Sequence, residues 1–137
     1  MLEHFDDTSA AVSACARFIR PGGLMLSLIP NMRGLPGFLQ KRFDRALYDV
    51  HVPLAAEEFA QAHTAAGLEV MAVRYFMSMD LYVLHVDPAR RLLGNAVKWS
   101  RAALMRGIWA AEIAIGSWPN RFTAPHMICV SRVPRSS

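Results

Sequence analysis

Ala16-Arg17-Phe18-Ile19-Arg20-Pro21-Gly22-Gly23-Leu24-Met25-Leu26-Ser27-Leu28-Ile29-Pro30 is the stretch that decides the fold. Its first half closes a helix. Val12, Cys15, Ala16 and Ile19 recur at helical spacing behind Asp6, Asp7 and Thr8, which supply N-cap and first-turn acidic chemistry. Pro21 cannot continue that helix, and Gly22-Gly23 offers a turn with positive φ. Leu24 to Ile29 is then a nearly continuous apolar run ended by Pro30. This pattern predicts a strand buried on both faces, as in a parallel sheet.

Downstream, residues 31–53 are rich in Gly, Pro, Arg and Lys and read as a long loop with one helical turn near Phe38 to Leu47. Ala55 to Ala66 is a helix: Glu57 and Glu58 lie in its first turn, Phe59, Ala62 and Ala66 share a face, and Gly67 stops it. Leu68 to Phe76 alternates with strand period, and Met79 to His85 continues or pairs with that strand. Pro88 to Gly116 is a long helical pattern, with Gly94 and Gly107 as points of bending or division. Leu93, Val97, Leu104, Ile108, Ala111 and Ile115 share one face, with Arg91, Lys98 and Arg101 towards the other side and Arg106 at its edge. That pattern fits a cap helix with its basic side in water. It also fits a basic amphipathic helix bearing Trp99 and Trp109 on an anionic membrane or lipid-like substrate. Pro125 to Val133 is a last strand. The recurring strand–helix order points to an open α/β sheet, here with few strands and a helix first.

A chain of 137 residues suits one domain, and 53% hydrophobic with 19% charged content argues against disorder. The net charge of +4 is mildly basic, as in many enzymes, and nucleic acid is not an expected partner. Cys15 and Cys129 give no disulfide framework and read as small buried hydrophobes in a reducing compartment. No apolar run reaches the ~18 residues of a membrane span, and the N-terminus has no apolar signal region. A cytoplasmic location is the resulting expectation.

Leu2-Glu3-His4-Phe5-Asp6-Asp7, followed by Ala16 to Gly23 and an apolar strand, resembles the second half of class I S-adenosylmethionine-dependent methyltransferases. There an E-H-hydrophobic-x-D segment leaves the fourth strand and a helix ending in P-G-G turns into the fifth. Ile29-Pro30-Asn31 is similar to that strand's end. Glu57-Glu58-Phe59 through Ala65-Ala66-Gly67-Leu68-Glu69-Val70 resembles the next helix–strand unit, and Pro125 to Val133 resembles the antiparallel last strand. The resemblance covers the chain apart from a 78–120 helical insertion, which would cap the substrate pocket. It implies a Rossmann-like α/β fold truncated to the fifth to seventh strands with their helices. Residues 1–137 would then be the C-terminal part of a single methyltransferase domain.

In that family a Gly-rich turn after the first strand and an acid after the second hold the cofactor. This sequence has no Gly-x-Gly, so the resemblance implies that the cofactor grip lies in strands one to four, which are missing. Methyl transfer from S-adenosylmethionine to a small acceptor is the implied activity, with this chain alone expected to be inactive. The alternative is a non-catalytic half-domain serving as an interaction or membrane-surface module, and a homo-oligomer over the exposed sheet edge is a possible partner state.

Site residues follow from the same resemblance. His4 and Phe5 would face the methionine end of the cofactor; otherwise Glu3 and Asp6 cap the next helix while Phe5 packs. Asn31, at the carboxyl edge of a strand, either contacts substrate or closes the strand in an Asx-turn. His51 is the candidate general base, since imidazole titrates near neutral pH. Glu3, His4 and His51 also match three positions of a metal set found in some relatives, but Glu-His occurs widely without metal and no metal is expected. His63, His85 and His126 read as structural. The Trp and Met content of the insertion suggests a partly apolar acceptor.

Overall fold

The computed structural model describes Phe5 and residues 7–86 and 91–135. Among these residues the fold is mixed α/β: five helices and one three-stranded sheet. The elements are α1 (Thr8–Ala16), β1 (Leu24–Pro30), α2 (Leu35–Phe43), α3 (Arg45–Asp49), α4 (Ala56–Ala65), β2 (Glu69–Phe76), α5 (Arg91–Ile115) and β3 (His126–Arg132).

The sheet order is β1-β3-β2, and β3 is antiparallel to both neighbours. β1 and β2 therefore point the same way, and α4 lies in the connection between them. The expected last strand is present with its expected antiparallel sense. The expectation of a parallel pairing for β1 is corrected, since its ladder to β3 is antiparallel throughout, from Leu24 opposite Arg132 to Pro30 opposite His126.

Burial on both faces of β1 is also corrected. Met25, Ser27 and Ile29 are buried, but Leu24, Leu26 and Leu28 face outward, with Leu26 67% exposed. A continuous apolar run shows that both faces suit burial; it does not supply the second layer. Among the described residues α1 and α4 cover one face only, and β1 is an edge strand.

Asp7 begins α1 as expected, its Oδ1 accepting from the Ala10 amide at 2.9 Å. The helix ends at Ala16, a turn earlier than the Pro21 stop requires. Val12 packs inward with Ala16 and Ile19, whereas Cys15 is exposed, contrary to the reading of both cysteines as buried. Cys129 is fully buried, and burial pushes its thiol up to about 11.

Residues 31–53 are not a long loop. Pro36 suits the first turn of α2, and Asp44 begins α3 by accepting from the Leu47 amide at 3.0 Å. α4 and β2 fall where the sequence puts them, with Gly67 at φ +80° between them. Residues 79–86 form no strand; Leu81 and Leu84 instead pack under α5 with the fully buried Met105.

α5 is one continuous helix from Arg91 to Ile115, undivided at Gly94 and Gly107. The face it buries is turned from the expected one: Ile108 packs as expected, but Met105 is at the centre and Leu104 and Ile115 are exposed, while the Leu93 side chain lies outside the described residues. Arg101 turns inward, its Nη1 donating to the Leu84 carbonyl at 3.2 Å and its guanidinium lying over the Tyr82 ring. A helix apolar on nearly every side does not announce which arc will pack. No helix among the described residues is long and apolar enough to cross a membrane.

Ile29, Phe59, Met127 and Cys129 form the centre of the core between α4 and the sheet. His63 lies in the same layer, fully buried, edge-on to Phe59, with Nδ1 2.9 Å from the Ser131 hydroxyl. Its Nε2 has no hydrogen-bond partner among the described residues. Burial holds its pKa below the ordinary 6.5. The unfolded chain therefore takes up a proton below pH 6.5 that the folded chain resists. Stability is expected to fall as pH drops from 6.5 towards the folded pKa, by at most about 1.4 kcal/mol per pH unit from this group. Urea midpoints at pH 8 and pH 5 measure it. A His63→Gln variant with the same acid sensitivity as the parent would show that another group is responsible.

A candidate ligand pocket at the carboxyl end of β1

β1 and β2 end on the same side of the sheet, and the chain there is fastened in a specific way. The Asn31 amide donates to the Pro125 carbonyl at 2.7 Å, and the Leu35 amide to the Phe122 carbonyl at 2.6 Å. Between these, Asn31 Nδ2 donates to the carbonyls of Arg121 (2.9 Å) and Ala124 (3.0 Å). Residues 31–35 are thus laced to 121–125. Gly34 is required at this seam, because a Cβ there would meet Asn31 Nδ2 and the Phe122 carbonyl. The 120–124 turn is itself ordered by Asn120, whose Oδ1 accepts from the amides of Phe122 (2.9 Å) and Thr123 (3.1 Å).

α2 leaves this seam and is clamped at its far end. Gln40 Oε1 accepts from the His85 amide at 2.8 Å, and Gln40 Nε2 donates to the His85 carbonyl at 3.1 Å. The His85 ring adds a contact from Nδ1 to Asp44 Oδ2 at 2.8 Å. The Leu47 amide, followed by His85, holds the Asp44 carboxyl below its ordinary range. α3 then carries the chain to His51. Its Nδ1 lies 2.7 Å from the Leu47 carbonyl, an oxygen that can only accept. The proton is therefore on Nδ1 and the basic lone pair on Nε2.

These segments enclose a cavity of about 170 Å³. Its wall is mainly apolar, from Pro30, Met32, Leu47, Val83, Leu84 and Pro125, with Asn31, Gln40 and His51 as its polar members. Among the described residues no carboxylate lines it. A neighbouring cavity of about 290 Å³ shares Asn31 and is bordered by Tyr75, Arg33, Glu57 and Arg121. Arg33 is held by Glu58 at 3.0 Å and the Pro53 carbonyl at 3.1 Å, while the Arg121 guanidinium lies over the Phe122 ring.

Two of the residues singled out from sequence, Asn31 and His51, therefore meet in one wall although 20 positions separate them. Asn31 forms no Asx-turn of the expected kind: its side chain reaches a distant loop, and both amide hydrogens are used there. Phe5 is half exposed ahead of α1, where its carbonyl accepts from Thr8, and it lines neither cavity. His4 and Glu3, with the metal match that includes them, lie outside the described residues. Among the described residues no three His, Cys, Asp or Glu side chains are grouped to hold a metal. Gln40, Met32 and Leu84 were not legible as site residues, because they belong to segments read as loop or strand.

The described residues thus form a small mixed α/β unit with a mainly apolar cavity at the carboxyl end of β1. No protein-family model matches the chain, and no curated protein matches it.

Proposed function

We propose that the chain is the C-terminal portion of a class I S-adenosylmethionine-dependent methyltransferase acting on a small, partly apolar acceptor in the cytoplasm. The observation that carries the reading is the convergence of Asn31 and His51 in one mainly apolar cavity at the carboxyl end of β1. The antiparallel last strand agrees with the same resemblance. So do the edge of β1, unpaired among the described residues, which suits a further strand, and its outward Leu24, Leu26 and Leu28, which suit a second helix layer of a larger Rossmann-like sheet.

The described residues do not fit the cofactor by themselves: no Gly-x-Gly turn is present, and the cavity that holds His51 has no acid among its described lining to accept from ribose hydroxyls, Glu57 belonging to the neighbouring one. The cofactor grip is assigned to the preceding part of the domain, with His4 and Phe5 at its border. The apolar wall of the cavity holds the acceptor and excludes water, which strengthens polar interactions within. His51 takes the acceptor's hydroxyl proton on Nε2, with the Leu47 carbonyl steadying the resulting imidazolium through Nδ1–H.

A DNA read upstream of Met1 is expected to encode a Gly-rich turn in frame; a stop codon directly before Met1 would overturn the proposal. In the complete enzyme His51→Ala is expected to lower kcat by roughly a hundredfold with the fold intact, and an unchanged kcat would remove His51 from the reaction.

The bare β1 edge also favours a second reading, a non-catalytic unit that self-associates edge to edge. The mass of this chain by light scattering tests it: a concentration-dependent dimer is expected on the second reading, and a monomer at every concentration would sink it.

A further inference from the structure

The outward side of α5 carries an unusual set of side chains. Leu92, Trp99, Arg106 and Ile113 are spaced by seven residues and so share one stripe. Leu92 is 87% exposed, Trp99 75% and Ile113 88%. Ala96, Ala103 and Ala110, all exposed, line one flank; Lys98, also exposed, lies beyond the other flank, seven residues before Met105. The opposite side packs through Met105 and Ile108, so this stripe is surplus to the core.

Charge on α5 is one-sided. Residues 91–111 hold Arg91, Lys98, Arg101 and Arg106 and no acid. The one acid of the helix, Glu112, accepts from the Ser78 amide at 3.4 Å and so turns to the protein. Arg101 is likewise turned inward. The charged groups on the outward face are therefore cations only, beside large apolar side chains and an indole.

We infer that α5 is an interfacial helix that lies in the surface of a bilayer rich in anionic lipid. Leu92, Trp99 and Ile113 enter the headgroup–acyl boundary, where an indole is at home, while Lys98 and Arg106 meet the lipid phosphates. A second copy packed on the same stripe would bring its own Lys98 and Arg106 with no acid to answer them. Nucleic acid would leave Leu92 and Ile113 without a partner. The helix lies on the bilayer and does not cross it. This inference does not rest on methyl transfer.

Vesicle flotation of the whole chain tests it, with phosphatidylcholine vesicles made with and without phosphatidylglycerol. Binding is expected to be roughly tenfold or more tighter with phosphatidylglycerol and to weaken with added salt. A K98E/R106E variant is expected to lose that preference, and Trp99→Glu to lose binding altogether. All three positions are exposed, and an unchanged circular dichroism spectrum reports that the variants fold. Equal binding to the two vesicles, or Trp99→Glu binding like the parent, would overturn the proposal. So would a dimer in light scattering that Trp99→Glu dissolves while no vesicle is bound, which would assign the stripe to a second copy.

Discussion

Phe59→Ala is expected to destabilise the protein by about 4 kcal/mol, a large part of the 5–15 kcal/mol typical of a whole domain. Phe59 is fully buried and sits at the centre of the cluster that joins α4 to the sheet through Ile29, Met127 and Cys129. Its ring also meets His63 edge-on, with centroids 5.1 Å apart. Truncation removes the apolar transfer term and leaves a cavity beneath rigid strands that cannot collapse into it. It also strips the packing from a buried imidazole. Phe59→Leu, which keeps most of the volume, is expected to cost about 1.5 kcal/mol. Urea unfolding followed by circular dichroism measures both. A Phe59→Ala midpoint within error of the parent would mean that α4 does not pack on the sheet as described. The effect reaches the pocket too, since Ile29 shares this cluster and leads directly into Pro30 and Asn31.

What was legible in the sequence is what local chemistry alone decides. Gly67 needs the left-handed conformation that it adopts, and the first-turn acids of α4 mark a helix start that no tertiary contact contradicts. β2 and β3 followed from alternation and from a short bounded run. β1 was legible as a strand, but its pairing and its bare face were not, because pairing depends on β3, about a hundred residues away. The 31–53 segment failed for another reason. Its Gly and Pro count suggested a loop, while Pro36 and Asp44 stand at helix starts, where such residues suit helices. With that segment went Gln40 and the wall of the pocket. The inward arc of α5 was illegible because Leu104 and Met105 are equally apolar, and only Leu81 and Leu84 beneath them choose. Of the site, Asn31 and His51 were found by resemblance, and nothing in the sequence indicates that they share a wall.

Asn31→Ala is expected to cost about 3 kcal/mol and to open the pocket at its seam. Asn31 is 2% exposed, and its Nδ2 supplies hydrogens to the carbonyls of both Arg121 and Ala124. Alanine leaves those carbonyls without their donor in a place where water has poor access, and the penalty of an unmet buried acceptor exceeds the net worth of the bond. Asn31→Asp is expected to be worse at neutral pH, although it keeps the shape, because it sets a carboxylate against two carbonyl oxygens. The two backbone bonds of the seam, from Asn31 and Leu35, remain in both variants, so the loss is expected to be local. Hydrogen exchange should then rise across 121–125 while α1 and α4 stay protected. Urea midpoints give the total cost and exchange gives its location. If Asn31→Ala kept the parent's midpoint and exchange pattern yet lost acceptor binding in the complete enzyme, the latch would be refuted. Asn31 would then belong to the substrate through its remaining atom, Oδ1.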